Sequence, residues 1–479
     1  MTIDYDSLFI GGSWVRPSSS ETIAVTSPST GEPLGQVPEA QDVDADAAVT
    51  AARKAFDDPS GWAHWPPADR AAAMESLATQ FEARGKDFAR LVSSQNGMPI
   101  TISEQIEAQF AVILTRYYAE LIRSTPLEEN RPHLLGGTSV IRKDPIGVVA
   151  AIAPWNFPLM LESWKVAPAL AWGNTVVLKP AEDTPASATL MARLALEAGL
   201  PPGVFNVLHG YGPGSAGAAL TGHPGVDRIT FTGESGTGRV IARAAAANLV
   251  PVSLELGGKG ANIVFDDAGL DGAVAWSIRA IFSNAGQVCL AGSRLYVQRG
   301  IYEEFTGRFV AAAQALVVGD PKDEATELGP LASQEHYKKV RSYLDSIEAD
   351  GGTIRTGGLG EGWVVLPTVV ENAPPTARVC REEIFGPVVT ITPFDTDSEA
   401  IGLANDTPYG LNAMVFTQNL SRAHRASAAL KAGTVWVNCF FVRDLRAPFG
   451  GVGDSGIGRE GGTFSREFFT EPKAVVMEI

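Results

Sequence analysis

From Ile146 onward the chain alternates between short, β-branched apolar runs and longer stretches rich in alanine and leucine. GVVAAIAPW (147–155), NTVVLKP (174–180), FNVLHG (205–210) and DRITFTG (227–233) read as buried strands. Between them, ASATLMARLALEAGL (186–200) and GRVIARAAAANL (238–249) read as helices. Strands joined by helical crossovers build a parallel sheet covered on both faces. A second set of the same kind runs from ANIVFDD (261–267) to about Val437, with helix-like 272–283 and 302–316 and strand-like 293–300. The expected class is therefore α/β. Such sheets take their ligands at the carboxyl ends of the strands, so chemistry-bearing residues are sought there.

The rest of the chain reads differently. Residues 43–56 and 67–96 carry apolar residues at helical spacing, and 101–123 continues in that style. LLGGTSVIRKDP (134–145) places Gly136-Gly137 between two short runs and predicts a protruding β-ribbon. PFGGVGDSGIGREGG (448–462) is too dense in glycine for regular structure, and KAVVMEI (473–479) reads as a terminal strand.

Composition narrows the function classes. A chain of 479 residues suggests roughly three domains at about 150 residues each. A formal net charge of −16 argues against a nucleic-acid partner, which needs a basic face. Cys289, Cys380 and Cys439 are too few and too widely spaced for a disulfide framework, and no ligand spacing predicts a metal site. No basic segment followed by an apolar run opens the chain, and no apolar run approaches the ~18 residues of a membrane span. The expected setting is cytoplasmic, with a small-molecule partner and neither membrane nor nucleic acid.

Several short runs carry chemistry. Cys289 lies in FSNAGQVCLAGSR (282–294), in a loop after a predicted helix, and Glu255 stands beside the Gly-Gly pair of LELGGKG (254–260). A thiol can attack a carbonyl carbon, and a nearby carboxylate can activate the water that releases the product. Each has a plain alternative: a buried small thiol and a strand-end ion-pair partner. Asn156, in the rigid PWNFP (154–158), can donate to an oxyanion or cap its own loop. Lys179 and Glu182 of KPAE end a strand, where a carboxylate accepts from ribose hydroxyls and repels a 2′-phosphate. That favours NAD over NADP, against the alternative of a surface ion pair. Glycine turns at 210–214, with Gly212, and at 233–238, with Gly233 and Ser235, follow strands and suit either a pyrophosphate or tight turning.

Taken together and in this order, PWNFP, KPAE, FTGESGTG (231–238), LELGGK, GQVCLAGSR, EEIFGPV (382–388) and PFGGVGDSGIGRE (448–460) resemble the NAD(P)-dependent aldehyde dehydrogenase superfamily from end to end. The resemblance implies a Rossmann-type cofactor domain from 1–123 and 146–257, and an α/β catalytic domain from 258–447. It also implies a small β oligomerisation element from 124–145 and 463–479, hence a homodimer or homotetramer. By similarity, Cys289 is the nucleophile, Glu255 the base for the hydrolytic water, and the Asn156 amide with the Cys289 backbone amide the oxyanion hole. Lys179 and Glu182 resemble the adenosine-ribose contacts, and Glu383 and Phe385 those to the nicotinamide ribose and ring. Trp155, Gly233 and Lys165 are expected to line the cofactor cleft. Phe157, Met160, Trp164, Phe440 and Phe441 are expected in a substrate tunnel suited to an aromatic or medium-chain aldehyde.

Arg443, in the Arg-Asp-Leu-Arg run before PFGG, resembles muconic semialdehyde dehydrogenases and points instead to a substrate carboxylate. The alternative for Arg443 is a pair with Asp444. Glu234 departs from the family, which often has serine there. Like-charge repulsion predicts that its side chain turns outward or that the pyrophosphate is held less tightly. A coenzyme A-acylating enzyme and a non-catalytic structural protein on the same fold remain the alternative functions.

Overall fold

The computed structural model describes residues 3–132 and 137–477. Its centre is an eight-stranded sheet. Five strands in it run parallel, in the order Val252–Glu255, Arg228–Thr232, Val148–Ile152, Thr175–Lys179 and Phe205–Val207. Val148–Ile152 and Thr175–Lys179 are buried at every residue, as expected for strands covered on both faces. The edges are antiparallel: Leu8–Ile10 and Ser13–Val15 at one end, Gly456–Ile457 at the other.

A second, seven-stranded sheet holds Ala261–Val264 near its middle. It is parallel apart from Thr353–Leu359, which runs antiparallel on its edge. A small sheet joins Thr470–Met477 to Thr138–Pro145, and that strand to Glu128–Pro132. The terminal segment and the ribbon, distant in sequence, therefore share one sheet. Among the described residues no helix is long and apolar enough to cross a membrane.

Three expectations are revised. The single helix expected over 67–96 is two, Pro67–Ala83 and Gly85–Asn96, because Arg84 leaves helical geometry at φ −110° and ψ 15° and serves as cap to both. The ribbon begins earlier than its turn signal suggested, at Glu128, and Gly136 of that turn lies outside the described residues. The glycine-dense 448–462 is partly regular: Gly456–Ile457 pairs with Leu254 and Glu255 on the sheet edge. Gly456 sits at φ 139°, and a β-carbon there would fall 1.9 Å from the Leu254 carbonyl oxygen. Only glycine permits that approach, so glycine density here marks close packing rather than looseness.

Candidate active site

The carboxyl end of the central sheet faces the second sheet, and three loops interlock there through glycines. A β-carbon on Gly258 would lie 2.6 Å from the Cys289 carbonyl oxygen, and one on Gly257 would lie 2.0 Å from Glu383 Oε2. One on Gly286 would lie 2.2 Å from the Gly386 carbonyl oxygen. The strand end that carries Glu255, the Cys289 loop and the Glu383–Gly386 loop are thus in mutual contact. The turn before Cys289 is wound tightly, with Asn284 at φ 49° and Ala285 at φ 53°. Non-glycine residues in this region store strain and persist only where packing holds them.

Asn156 enters the same cluster. Its Nδ2 donates to the Gln287 carbonyl at 2.9 Å, which leaves its second N–H for another acceptor. Its carbonyl accepts from Asn284 Nδ2 at 2.9 Å and from Asn96 Nδ2 at 3.3 Å. The backbone N–H of Cys289 favours the ionised form of its sulfur. Burial, reinforced by Glu383 and Glu255 and opposed by Arg443, pushes the Cys289 thiol up to about 12. Burial likewise holds the Glu255 carboxyl well above its ordinary range, reinforced by Glu460 and opposed by Lys165 and Arg443. Among the described residues neither Glu255 oxygen has a hydrogen-bond partner, so both can take a proton or a water.

Lys165 departs from expectation. Rather than lining the cofactor cleft, its ammonium is wholly buried, 3.1 Å from Thr230 Oγ1 and 3.5 Å from Glu460 Oε1. Thr230 in turn donates to Glu460 at 3.0 Å. A buried ammonium is retained only where acceptors offset its desolvation, and these lie beneath Glu255. Glu460 carries no signal of its own in the sequence. It closes the run GIGRE, where glycine dominates and one glutamate reads as surface.

The other cleft candidates fall as follows. Lys179 Nζ donates to Gly210 O at 2.6 Å, to Pro180 O at 2.8 Å and to Glu182 at 3.3 Å, so its three protons have protein acceptors. Glu182 is more open and keeps acceptor capacity. At Gly212 a β-carbon would meet nothing, which leaves open space beside the strand ends, whereas at Gly233 it would strike the Phe231 ring at 2.4 Å. Ser235 opens the helix Ser235–Ala247 but donates its hydroxyl to the Asp454 carbonyl at 2.7 Å. Glu234 turns outward and pairs with Lys339 at 3.5 Å. Trp155 meets the Phe385 ring edge-on at 5.4 Å, and Glu383 accepts from the Gly258 N–H at 2.9 Å. Burial raises Glu383 to about 7.

Phe157, Met160 and Trp164 are buried at the start of the helix Pro158–Ala171. Phe440 is buried against Trp436, and Phe441 is half-buried at φ 57°. Arg443 does not pair with Asp444, which holds Arg446 instead. Its guanidinium lies 4.1 Å from the Phe449 ring centre and 4.4 Å from that of Trp164. Phe441 and Phe110 complete the cage at 5.9 Å and 6.0 Å. Among the described residues no carboxylate lies within ion-pair distance of Arg443. Phe110 and Phe449 also escape a reading of the sequence, since a lone aromatic in a helix or loop reads as core.

Behind the helix Pro158–Ala171, Glu107 is fully buried in a π-turn, Ser103–Ala108, and accepts the Met160 N–H at 3.0 Å. Burial raises its carboxyl to about 8, above the ordinary 4.5. The folded chain therefore holds a proton there that the unfolded chain releases, so stability present at acid pH is lost as pH climbs from about 4.5 through about 8. Glu107→Gln keeps the acceptor and removes that titration. Its stability is expected to gain on wild type as pH rises from about 5 to about 9, by on the order of a few kcal/mol. Melting temperatures of both proteins across that range measure the gain, and parallel curves at every pH would contradict it.

Residues 14–475 match the aldehyde dehydrogenase family. The chain is 44% identical to 2-hydroxymuconic semialdehyde dehydrogenase of Pseudomonas sp. (strain CF600), over 98% of this chain and 99% of that protein. It is 42% identical to retinal dehydrogenase 2 of Mus musculus, over 100% of this chain and 93% of that protein. The solved NAD+ complex of aldehyde dehydrogenase from Bacillus cereus superposes with a TM-score of 0.96 at 40% identity, covering 99% of this chain and 97% of that one. The chain belongs to the aldehyde dehydrogenase family.

Proposed function

We propose that the protein oxidises an aldehyde bearing a carboxylate to the corresponding acid, with NAD as the oxidant. The observation that carries this reading is the convergence of Cys289, Glu255 and the Glu383–Phe385 loop through their glycine contacts, with the caged cation of Arg443 acting electrostatically on both Cys289 and Glu255.

The residues fit a dinucleotide. Open space at Gly212 and the first turn of the helix Ser235–Ala247 suit a pyrophosphate. With Lys179 occupied by protein acceptors, ribose recognition falls to Glu182, whose charge also disfavours a 2′-phosphate. At the far end, Glu383 and Phe385 take the nicotinamide ribose and ring. When bound, NAD accepts the hydride that leaves the substrate carbon.

Cys289 Sγ gives up its proton to solvent water and bonds to the aldehyde carbon, which leaves Glu255 ionised for the second half of the reaction. The spare Asn156 N–H and the Cys289 backbone N–H stabilise the oxyanion. Loss of hydride leaves a thioester on Cys289. Glu255 then takes a proton from water, the oxygen bonds to the acyl carbon, the C–S bond breaks and the acid departs. Lys165 and Glu460, beneath Glu255, offer the proton a way out. Because Glu255 activates water, coenzyme A is expected not to accelerate turnover.

Arg443 determines the substrate class. A guanidinium between two aromatic faces is preorganised, and a carboxylate supplies the charge it lacks. Arg443→Gln is expected to lower kcat/KM about 100-fold for a semialdehyde acid. For an uncharged aldehyde of equal length the loss is expected to stay within a few-fold. Steady-state NADH formation on both substrates measures it, and equal losses would remove the acid-aldehyde reading. For quaternary structure, the sheet formed by Glu128–Pro132, Thr138–Pro145 and Thr470–Met477 has an open edge, a surface suited to pairing with a second subunit.

A further inference from the structure

Phe385 stands at φ 60°, a left-handed conformation that a bulky side chain adopts only when its surroundings impose it. The surroundings come from one turn of the helix Gln334–Leu344. His336 Nε2 lies 2.7 Å from the Phe385 carbonyl oxygen. A carbonyl only accepts, so Nε2 carries the proton and donates. The next residue, Gly386, packs so closely on Val340 of the same helix that a β-carbon would come within 2.9 Å of it. The helix start is itself fixed, because Ser333 accepts the His336 backbone N–H at 3.3 Å.

The His336 ring reaches the other side of the site as well. It lies 5.0 Å from the Trp155 ring and 5.9 Å from that of Phe385. Trp155 immediately precedes Asn156. A single side chain thus touches both the loop that carries Glu383 and Phe385 and the loop that carries the oxyanion amide.

We propose that His336 is a positioning residue: by its hydrogen bond it holds Phe385 in the left-handed conformation, and by its ring it sets Phe385 against Trp155, so that the cofactor ring and the oxyanion amide meet at Cys289. This rests on the reading that Glu383 and Phe385 hold the nicotinamide end of NAD. Burial lowers His336 to about 4, which keeps the ring neutral and the single donor in place across the working range.

Three variants test it. His336→Phe keeps an aromatic ring against Trp155 and removes the donor. His336→Gln places an amide N–H near the position of Nε2 and keeps the donor. His336→Leu repeats the donor-less comparison if the phenylalanine variant does not fold. Two readouts apply: hydrogen exchange of the backbone amides over 383–388, and NAD+ affinity by calorimetry alongside NAD+ KM and kcat. The donor-less variant is expected to exchange faster over that segment. It is also expected to lose roughly ten- to a hundredfold in NAD+ affinity or kcat, the scale of a displacement near 1 Å, with aldehyde KM little changed. His336→Gln is expected to restore exchange protection and to stay within a few-fold of wild type.

If glutamine and phenylalanine variants behave alike, or if exchange is unchanged in both, the proposal is overturned and His336 only fills space. If wild type fails to bind NAD+, the cofactor reading fails. The exchange contrast between the glutamine and phenylalanine variants then still decides the positioning role.

Discussion

Cys289→Ala is expected to remove aldehyde-dependent NADH formation, by roughly 10⁴-fold or more in kcat, because the proposed covalent intermediate forms on its sulfur. NAD+ affinity should persist in the variant, since the proposed cofactor contacts are Glu182, Glu383 and Phe385 rather than the sulfur. Stopped-flow absorbance at the NADH band, with calorimetric NAD+ titration as the folding control, gives the answer. Residual turnover within tenfold of wild type would rule out the covalent route.

Glu255→Gln separates the two halves of the reaction. Without the carboxylate, water is no longer activated, and steady-state turnover is expected to fall about 10²- to 10⁴-fold. The thioester should accumulate, visible as a burst of about one NADH per subunit if acylation survives. Mass spectrometry of the quenched enzyme should then find the acyl group on Cys289. A steady state as fast as wild type would show that another group activates the water.

The pH dependence runs in the same direction. Burial and Glu460 hold Glu255 above its ordinary range, so its ionised fraction grows over a higher pH range than that of an ordinary carboxyl. Hydrolysis limited by this base should therefore accelerate with pH in wild type and lose that dependence in the glutamine variant.

Much of this site is legible in the order of amino acids, for identifiable reasons. The strands 148–152 and 175–179 announce themselves as unbroken apolar runs because both of their faces are covered. Cys289 and Glu255 stand out because each is one reactive side chain among glycines, and glycine density is itself a local signal of close backbone approach. The structure adds what those glycines approach: Gly257 meets Glu383, Gly258 meets the Cys289 carbonyl, and a β-carbon on Gly450 would fall 2.8 Å from Glu255 Oε1.

Other assignments could not be made that way. Lys165 sits in a helix whose pattern marks it only as a charged residue in an apolar run, and the partner that explains it, Glu460, comes near the other end of the chain. Glu107 looks like one more polar position in an amphipathic segment until the π-turn directs it at Met160. His336 carries no motif of its own, and its meaning lies in the Phe385 carbonyl; Arg443 is marked by the Arg-Asp-Leu-Arg run, but only the fold sets it between the Trp164 and Phe449 rings.

Backbone periodicity and glycine spacing act over a few residues, so the alternating α/β plan and the neighbourhood of the reactive thiol follow from local sequence alone. The Lys165–Glu460 ion pair and the Trp164 face of the Arg443 cage join residues hundreds of positions apart. Their partners are chosen when the two sheets dock, because the energy of a buried charge depends on what folding places beside it.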